Sequence, residues 1–128
     1  MANGTIAFDT LQTSGQITGT AKSVDTDYVV NGSAKVWTQT DGTGTVSTRD
    51  SFNLSSLTDN ATGDYTQTFS NAMNNNDYSP VGMAAGSNHS AFYNEANTTT
   101  TSFRQLIRQN TTDTDSDPIS LQICGDLA

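Results

Sequence analysis

The chain contains one histidine, His89, and one glutamate, Glu95. A nucleophilic hydrolase holds its histidine between a nucleophile and an orienting acid. Serines and aspartates are so abundant here that a chance partner for His89 always exists, and the Gly-x-Ser-x-Gly elbow is absent. His89 lies in Gly86-Ser87-Asn88-His89-Ser90, which reads as a loop, so an exposed loop or interface histidine is expected. Glycan cleavage needs two carboxylates flanking the scissile bond. The aspartates fall mostly in turn sequences, where the side chain caps backbone amides. A non-enzymatic protein is therefore expected, with a small glycan-acting enzyme as the minor alternative.

Asp113, Asp115 and Asp117 have the spacing that opens a calcium loop. Pro118 stands where that loop needs glycine, however, and Cys124 where it needs a bidentate acid, which excludes an EF-hand. A simpler calcium or magnesium site on these three aspartates stays open beside a solvated hairpin tip; no other cofactor is expected. Cys124 is the only cysteine, which excludes an intrachain disulfide and a multi-cysteine metal site. Alternation sets it opposite Ile119, Leu121 and Ile123, as a small packed or interface residue. The single tryptophan, Trp37, is expected to anchor the core or an interface, ahead of a role in sugar stacking.

The best candidate recognition surface is the stretch from Gly86 to Thr101, read as a loop. Asn88, His89, Phe92, Tyr93, Asn94 and Asn97 combine aromatic faces with amide and imidazole groups. Such groups stack on a sugar ring and hydrogen-bond its hydroxyls. The competing reading is an ordinary packed hairpin.

The elements that must carry these residues alternate with period two. Tyr65, Gln67 and Phe69 alternate with Asp64, Thr66 and Thr68; Thr101, Phe103, Gln105 and Ile107 form another register, and Ile119, Leu121 and Ile123 a third. Ala34 to Trp37, a long Thr/Ser-rich run from Thr45 to Leu54, and Tyr78 to Ala84 read as further strands, with Pro80 placing the last at an edge or bulge. The run from Phe103 to Gln109 fits helix or strand; the threonines before it favour strand. Asp41-Gly42 carries a hairpin dipeptide, and Asp59 to Asp64 reads as a loop. About eight strands in all predict an all-β fold, an antiparallel β-sandwich or jelly-roll-like domain, with little helix.

Composition agrees. Serine, threonine and asparagine number 48 of 128 residues, and these favour strands and turns over helix interiors. The net charge of −8 provides no basic patch, which disfavours nucleic acid and anionic membrane surfaces as partners. No apolar run reaches the length of a membrane span, and the first residues do not read as a secretory signal. With a lone cysteine, synthesis in a reducing cytoplasm is expected. Residues 1–33 place Ile6, Phe8 and Leu11 among Gly and Thr without an aromatic cluster. They read as an N-terminal arm or peripheral hairpin in contact with a neighbour, and residues 34–128 as the sandwich domain.

Ala34-Lys35-Val36-Trp37, followed by the segment from Asp41 to Tyr65, resembles a recurrent domain of marine bacteriophage structural proteins. These are tail-fibre-like virion proteins of the cyanophage and pelagiphage type. The most specific part is Asp59-Asn60-Ala61-Thr62-Gly63-Asp64-Tyr65-Thr66, and the resemblance is close from Ala34 to about Gly82. It implies a non-enzymatic, oligomeric virion component, and supplies no site residues. The resulting expectation is a homotrimer made in the host cytoplasm and built into the virion beside other phage proteins. Its expected role is an appendage or tail-fibre-type module that binds a host-surface glycan. A capsid decoration protein is the runner-up.

Overall fold

The computed structural model describes residues 32–128. Among these, nine strands run in chain order: β1 (Ala34–Asp41), β2 (Ser47–Phe52), β3 (Leu54–Ala61), β4 (Asp64–Phe69), β5 (Ser79–Ala84), β6 (His89–Tyr93), β7 (Ser102–Gln109), β8 (Thr112–Asp113) and β9 (Ile119–Cys124). One sheet has the order β2-β1-β9-β5, the other β3-β4-β7-β6 with β8 paired to the end of β7. All pairings are antiparallel. The expected all-β sandwich is the observed fold, and among residues 34–128 its helical content is one 3₁₀ turn, Glu95–Asn97. The arm residues Ile6, Phe8 and Leu11 lie outside the described residues.

Burial follows position in the sheets. The central strands β4 and β7 bury every second residue: Tyr65, Gln67 and Phe69 on one, Phe103, Gln105 and Ile107 on the other. In the facing sheet, β1 turns Val36, Thr38 and Thr40 inward, and β9 turns Ile119, Leu121 and Ile123 inward. The edge strands β2 and β3 are mostly exposed and rich in Ser, Thr and Asp, a composition that discourages further strand pairing.

A chain of side-chain hydrogen bonds crosses the core. Thr38 Oγ1 donates to Gln67 Oε1 at 2.7 Å, Gln67 Nε2 to Gln105 Oε1 at 2.9 Å, and Gln105 Nε2 to the Ser120 carbonyl at 3.3 Å. It starts on β1, crosses to β4 and β7, and returns to β9. Two apolar clusters flank it. Val36, Phe69, Met73, Tyr78, Phe103, Leu121 and Ile123 form the larger. Tyr65, Ile107 and Ile119 form the smaller.

Four expectations need correction. Asp59 to Asp64 is not a loop: β3 runs on to Ala61 and β4 starts at Asp64, leaving only Thr62 and Gly63 (φ 67°) as the turn. The run from Thr45 to Leu54 is not one strand. Asn53 adopts a left-handed conformation (φ 60°) and passes the chain from β2 in one sheet to β3 in the other. Its Oδ1 accepts the Asn71 backbone N–H at 2.7 Å, which helps hold that conformation. Asp41-Gly42 does not close a two-residue turn, since β2 begins only at Ser47. Gly42 is required there because a Cβ would lie 2.5 Å from the Tyr65 hydroxyl. Trp37 is no core residue. Val36 and Thr38 take the inward positions on either side of it, so alternation turns Trp37 outward.

Two predictions follow from this packing. Thr38→Val preserves shape but leaves the buried Gln67 Oε1 without its donor. It should cost about 1–3 kcal/mol in urea unfolding. The second concerns Asp64, which pairs with Arg104 through bonds of 2.8 and 2.6 Å. The guanidinium holds the Asp64 carboxyl below the usual aspartate range. A depressed folded-state value contributes stability above the unfolded value of about 3.9 and loses it as pH falls through the folded value. Asp64→Asn should therefore flatten the acid limb of a stability–pH curve below about pH 4 and lower the plateau above it.

Candidate functional site

The strands β5 and β6 are joined by the short Ala85–Asn88 connection, but each hydrogen-bonds into a different sheet. They therefore form an arch across the open edge of the sandwich. Gly82 and Ala91 meet in its middle: a Cβ on Gly82 would stand 3.4 Å from that of Ala91 and 2.6 Å from Gln105 Nε2. A small gap of about 70 Å³ lies here, floored by Gln105 and Leu121. Toward the start of β5 and the end of β6 the gap opens into a hollow of about 220 Å³. That is smaller than the roughly 300–1,000 Å³ of most small-molecule pockets.

Aromatic packing shapes the hollow. The Tyr93 ring stacks on Phe103 (centroids 6.1 Å apart, planes at 28°), and Tyr78 leans on Phe103 and Phe69 at 6.4 and 6.0 Å. Phe103 is buried while Tyr93 is 52% exposed, so a fixed ring has a free face. The Tyr78 hydroxyl lies 3.1 Å from both the Thr99 and Ser102 carbonyls. Burial pushes its pKa up to about 12, so it remains a neutral donor at ordinary pH. Around the rim stand the exposed Asn76, Asp77 and Glu95. An amide and two carboxylates beside an aromatic face can accept and donate hydrogen bonds to hydroxyls while the ring covers apolar C–H groups.

The sequence-predicted surface is divided by this geometry. Tyr93 belongs to the hollow; Asn94 and Asn97 flank it at the 3₁₀ turn. Phe92 lies in register with Leu106 and beneath the Arg108 guanidinium, 5.8 Å from the ring, on the outer face. His89 is at the far end of β6, about 13 Å away by strand rise, and Asn88 lies just before it in the β5–β6 connection. His89 is not a loop residue: it opens β6, is half-buried, and its Nδ1 lies 3.2 Å from Ser116 Oγ. Gly86 makes room for the ring, since a Cβ there would come within 2.6 Å of it. Asn76 and Asp77 are not among the candidates read from the sequence, and Glu95 is weighed there only as a catalytic acid. The one signal for them was the arch itself, which folds the residues before β5 back onto those after β6.

The three aspartates of the acidic loop are not brought together. Asp113 pairs with Arg108 at 2.6 Å, and Asp117 pairs with Arg49. Asp115 Oδ1 accepts the Gly63 N–H and faces the Tyr65 hydroxyl, both at 2.8 Å. Burial, reinforced by Asp115, raises the Tyr65 pKa well above that of a free phenol. Among the described residues, no group of three or more His, Cys, Asp or Glu stands where it could hold a metal ion. The loop instead clasps the β3–β4 turn. Cys124 is free and half-buried at the end of β9.

No family model, curated protein or solved structure matches the chain. The clasp makes a prediction of its own. Asp115→Ala removes the acceptor of the Gly63 N–H, while the Tyr65 hydroxyl keeps the Gly42 carbonyl at 2.9 Å, and should lower stability by about 1–3 kcal/mol. Millimolar calcium should leave the unfolding midpoint of the unmodified chain unchanged; a calcium-dependent rise in that midpoint would restore the metal reading.

Proposed function

We propose that the chain is a non-enzymatic bacteriophage virion protein, an appendage or tail-fibre-type module that binds a host-surface glycan through the β5–β6 hollow. The observation that carries the reading is the Tyr93 ring, fixed on Phe103 with its outer face open beside Asn76, Asp77 and Glu95. The sequence resemblance from Ala34 to Gly82 supports the virion assignment. In this reading the module assembles as a homotrimer next to other virion proteins, where many weak sugar contacts sum to firm adhesion.

Tyr93→Ala tests it. The ring covers Phe103 from outside, so its removal should preserve the β-sheet circular dichroism signal. Loss of one stacking contact, worth about 0.5–1.5 kcal/mol, should weaken binding to isolated envelope glycans by roughly 2- to 13-fold per site. Particles carrying the variant should adsorb more slowly to host cells. Binding to capsids without binding to glycans or cells would favour the decoration role. Glycan turnover abolished by Asp77→Asn or Glu95→Gln would make the chain an enzyme.

A further inference from the structure

We infer that the outer face of the β2-β1-β9-β5 sheet is a docking surface for a second copy of this chain. Register places Phe52, Trp37, Gln122 and Val81 side by side in one row across all four strands. Met83 follows Val81 on the same face of β5. Their large apolar side chains are open: Trp37 is 38% exposed, Phe52 51%, Val81 65% and Met83 72%. The outer face of the other sheet also carries an exposed aromatic, Phe92, but there the Arg108 guanidinium lies over the ring, and the Arg104–Asp64 and Arg108–Asp113 ion pairs stand among Thr66 and Thr68.

Two arguments select a second copy as the occupant. The first is charge. A copy approaching any acidic face of a chain at −8 meets like charge. The Phe52–Trp37–Gln122–Val81 row carries none, and its flanks are Gln39, Ser120 and the single acid Asp50. Charge depletion at the centre with a polar rim is the pattern of a protein interface. The second is area. Four such side chains, exposed to these extents and divided into two pairs by Gln122, offer on the order of 400 Å² of apolar surface. That is about half of the roughly 800 Å² that each partner contributes to a standard interface, and so matches its apolar centre. Residues 1–31 are a poorer occupant, because they bring Asp9, Asp25 and Asp27 against the single base Lys22. This contact supplies the oligomer of the proposed function and is independent of what the hollow binds.

The test uses the full-length chain. Sedimentation velocity gives its mass, and acrylamide quenching of Trp37, the only tryptophan, reports directly on the face. Val81→Asp and Phe52→Asp both change exposed positions on edge strands and should keep the β-sheet circular dichroism signal. The unmodified chain should be oligomeric at about 10 µM, with Trp37 quenched several-fold less than in either variant, and both variants should sediment as monomers. Glycan binding per monomer should persist in the variants, which separates failure here from failure of the hollow. An unmodified chain that stays monomeric would overturn the inference, as would variants that remain oligomeric. Shielding of Trp37 that is independent of protein concentration would also overturn it and assign the face to residues 1–31.

Discussion

An amide buried in an apolar core must satisfy both of its ends, and here that requirement fixes how the two sheets face each other. The Ser120 carbonyl can only accept, so Gln105 must present its NH₂ group to it. Gln105 Oε1 then faces β4, and Gln67 must answer with its own NH₂. Gln67 Oε1 is left facing Thr38, whose hydroxyl has to donate. Reversing either amide sets oxygen against oxygen. A slip of one sheet over the other breaks the relay, which purely apolar packing would tolerate more readily. No buried side-chain nitrogen or oxygen among the described residues lacks a partner.

The rest of the molecule is arranged around this belt. On one side the smaller cluster is tied off by the acidic loop, where Asp115 gathers Gly63 and Tyr65 and the Gly42 N–H bonds to the Ser116 carbonyl at 2.9 Å. On the other side the larger cluster supplies Phe103 and Tyr78, the floor and wall of the hollow. Gly82 connects the belt to the hollow. Its missing Cβ leaves room for Gln105 Nε2, so the glycine that lets β5 approach β6 also lets the relay reach β9.

Where a strand is central and half its residues are buried, the sequence reads plainly. Tyr65-x-Gln67-x-Phe69 and Phe103-x-Gln105-x-Ile107 give the inward faces of β4 and β7, including the two glutamines. Alternation does not reveal that those glutamines bond to each other, because the pairing depends on β4 and β7 being neighbours 38 residues apart. The β2–β3 break was hidden for a different reason. Ser, Thr and Asn suit strands and turns alike, and only the left-handed turn at Asn53 separates one sheet from the other. At the site, Tyr93 was legible as an aromatic beside amides. Asp77 and Glu95 were not, since each reads as a solvated turn residue until the arch sets them on one rim.

β5 shows how little sequence is needed to serve two surfaces. Pro80, Gly82 and Ala84 face inward toward β6, and two of them line the hollow or the gap beside it. Val81 and Met83, between them, face outward onto the apolar row. An edge strand with an exposed apolar face is ordinarily an aggregation hazard. Here the side facing β6 is occupied by the arch, Pro80 removes one backbone donor, and the apolar residues point away from the free edge. The proposed association would use side-chain contact across the sheet face, which closes a defined assembly when it is self-complementary, whereas strand addition at an edge can continue without limit. With the proposed recognition and the proposed self-association on opposite parities of β5, a substitution at Val81 would alter assembly without entering the hollow, and one at Tyr93, across the arch on β6, would alter recognition without touching the row.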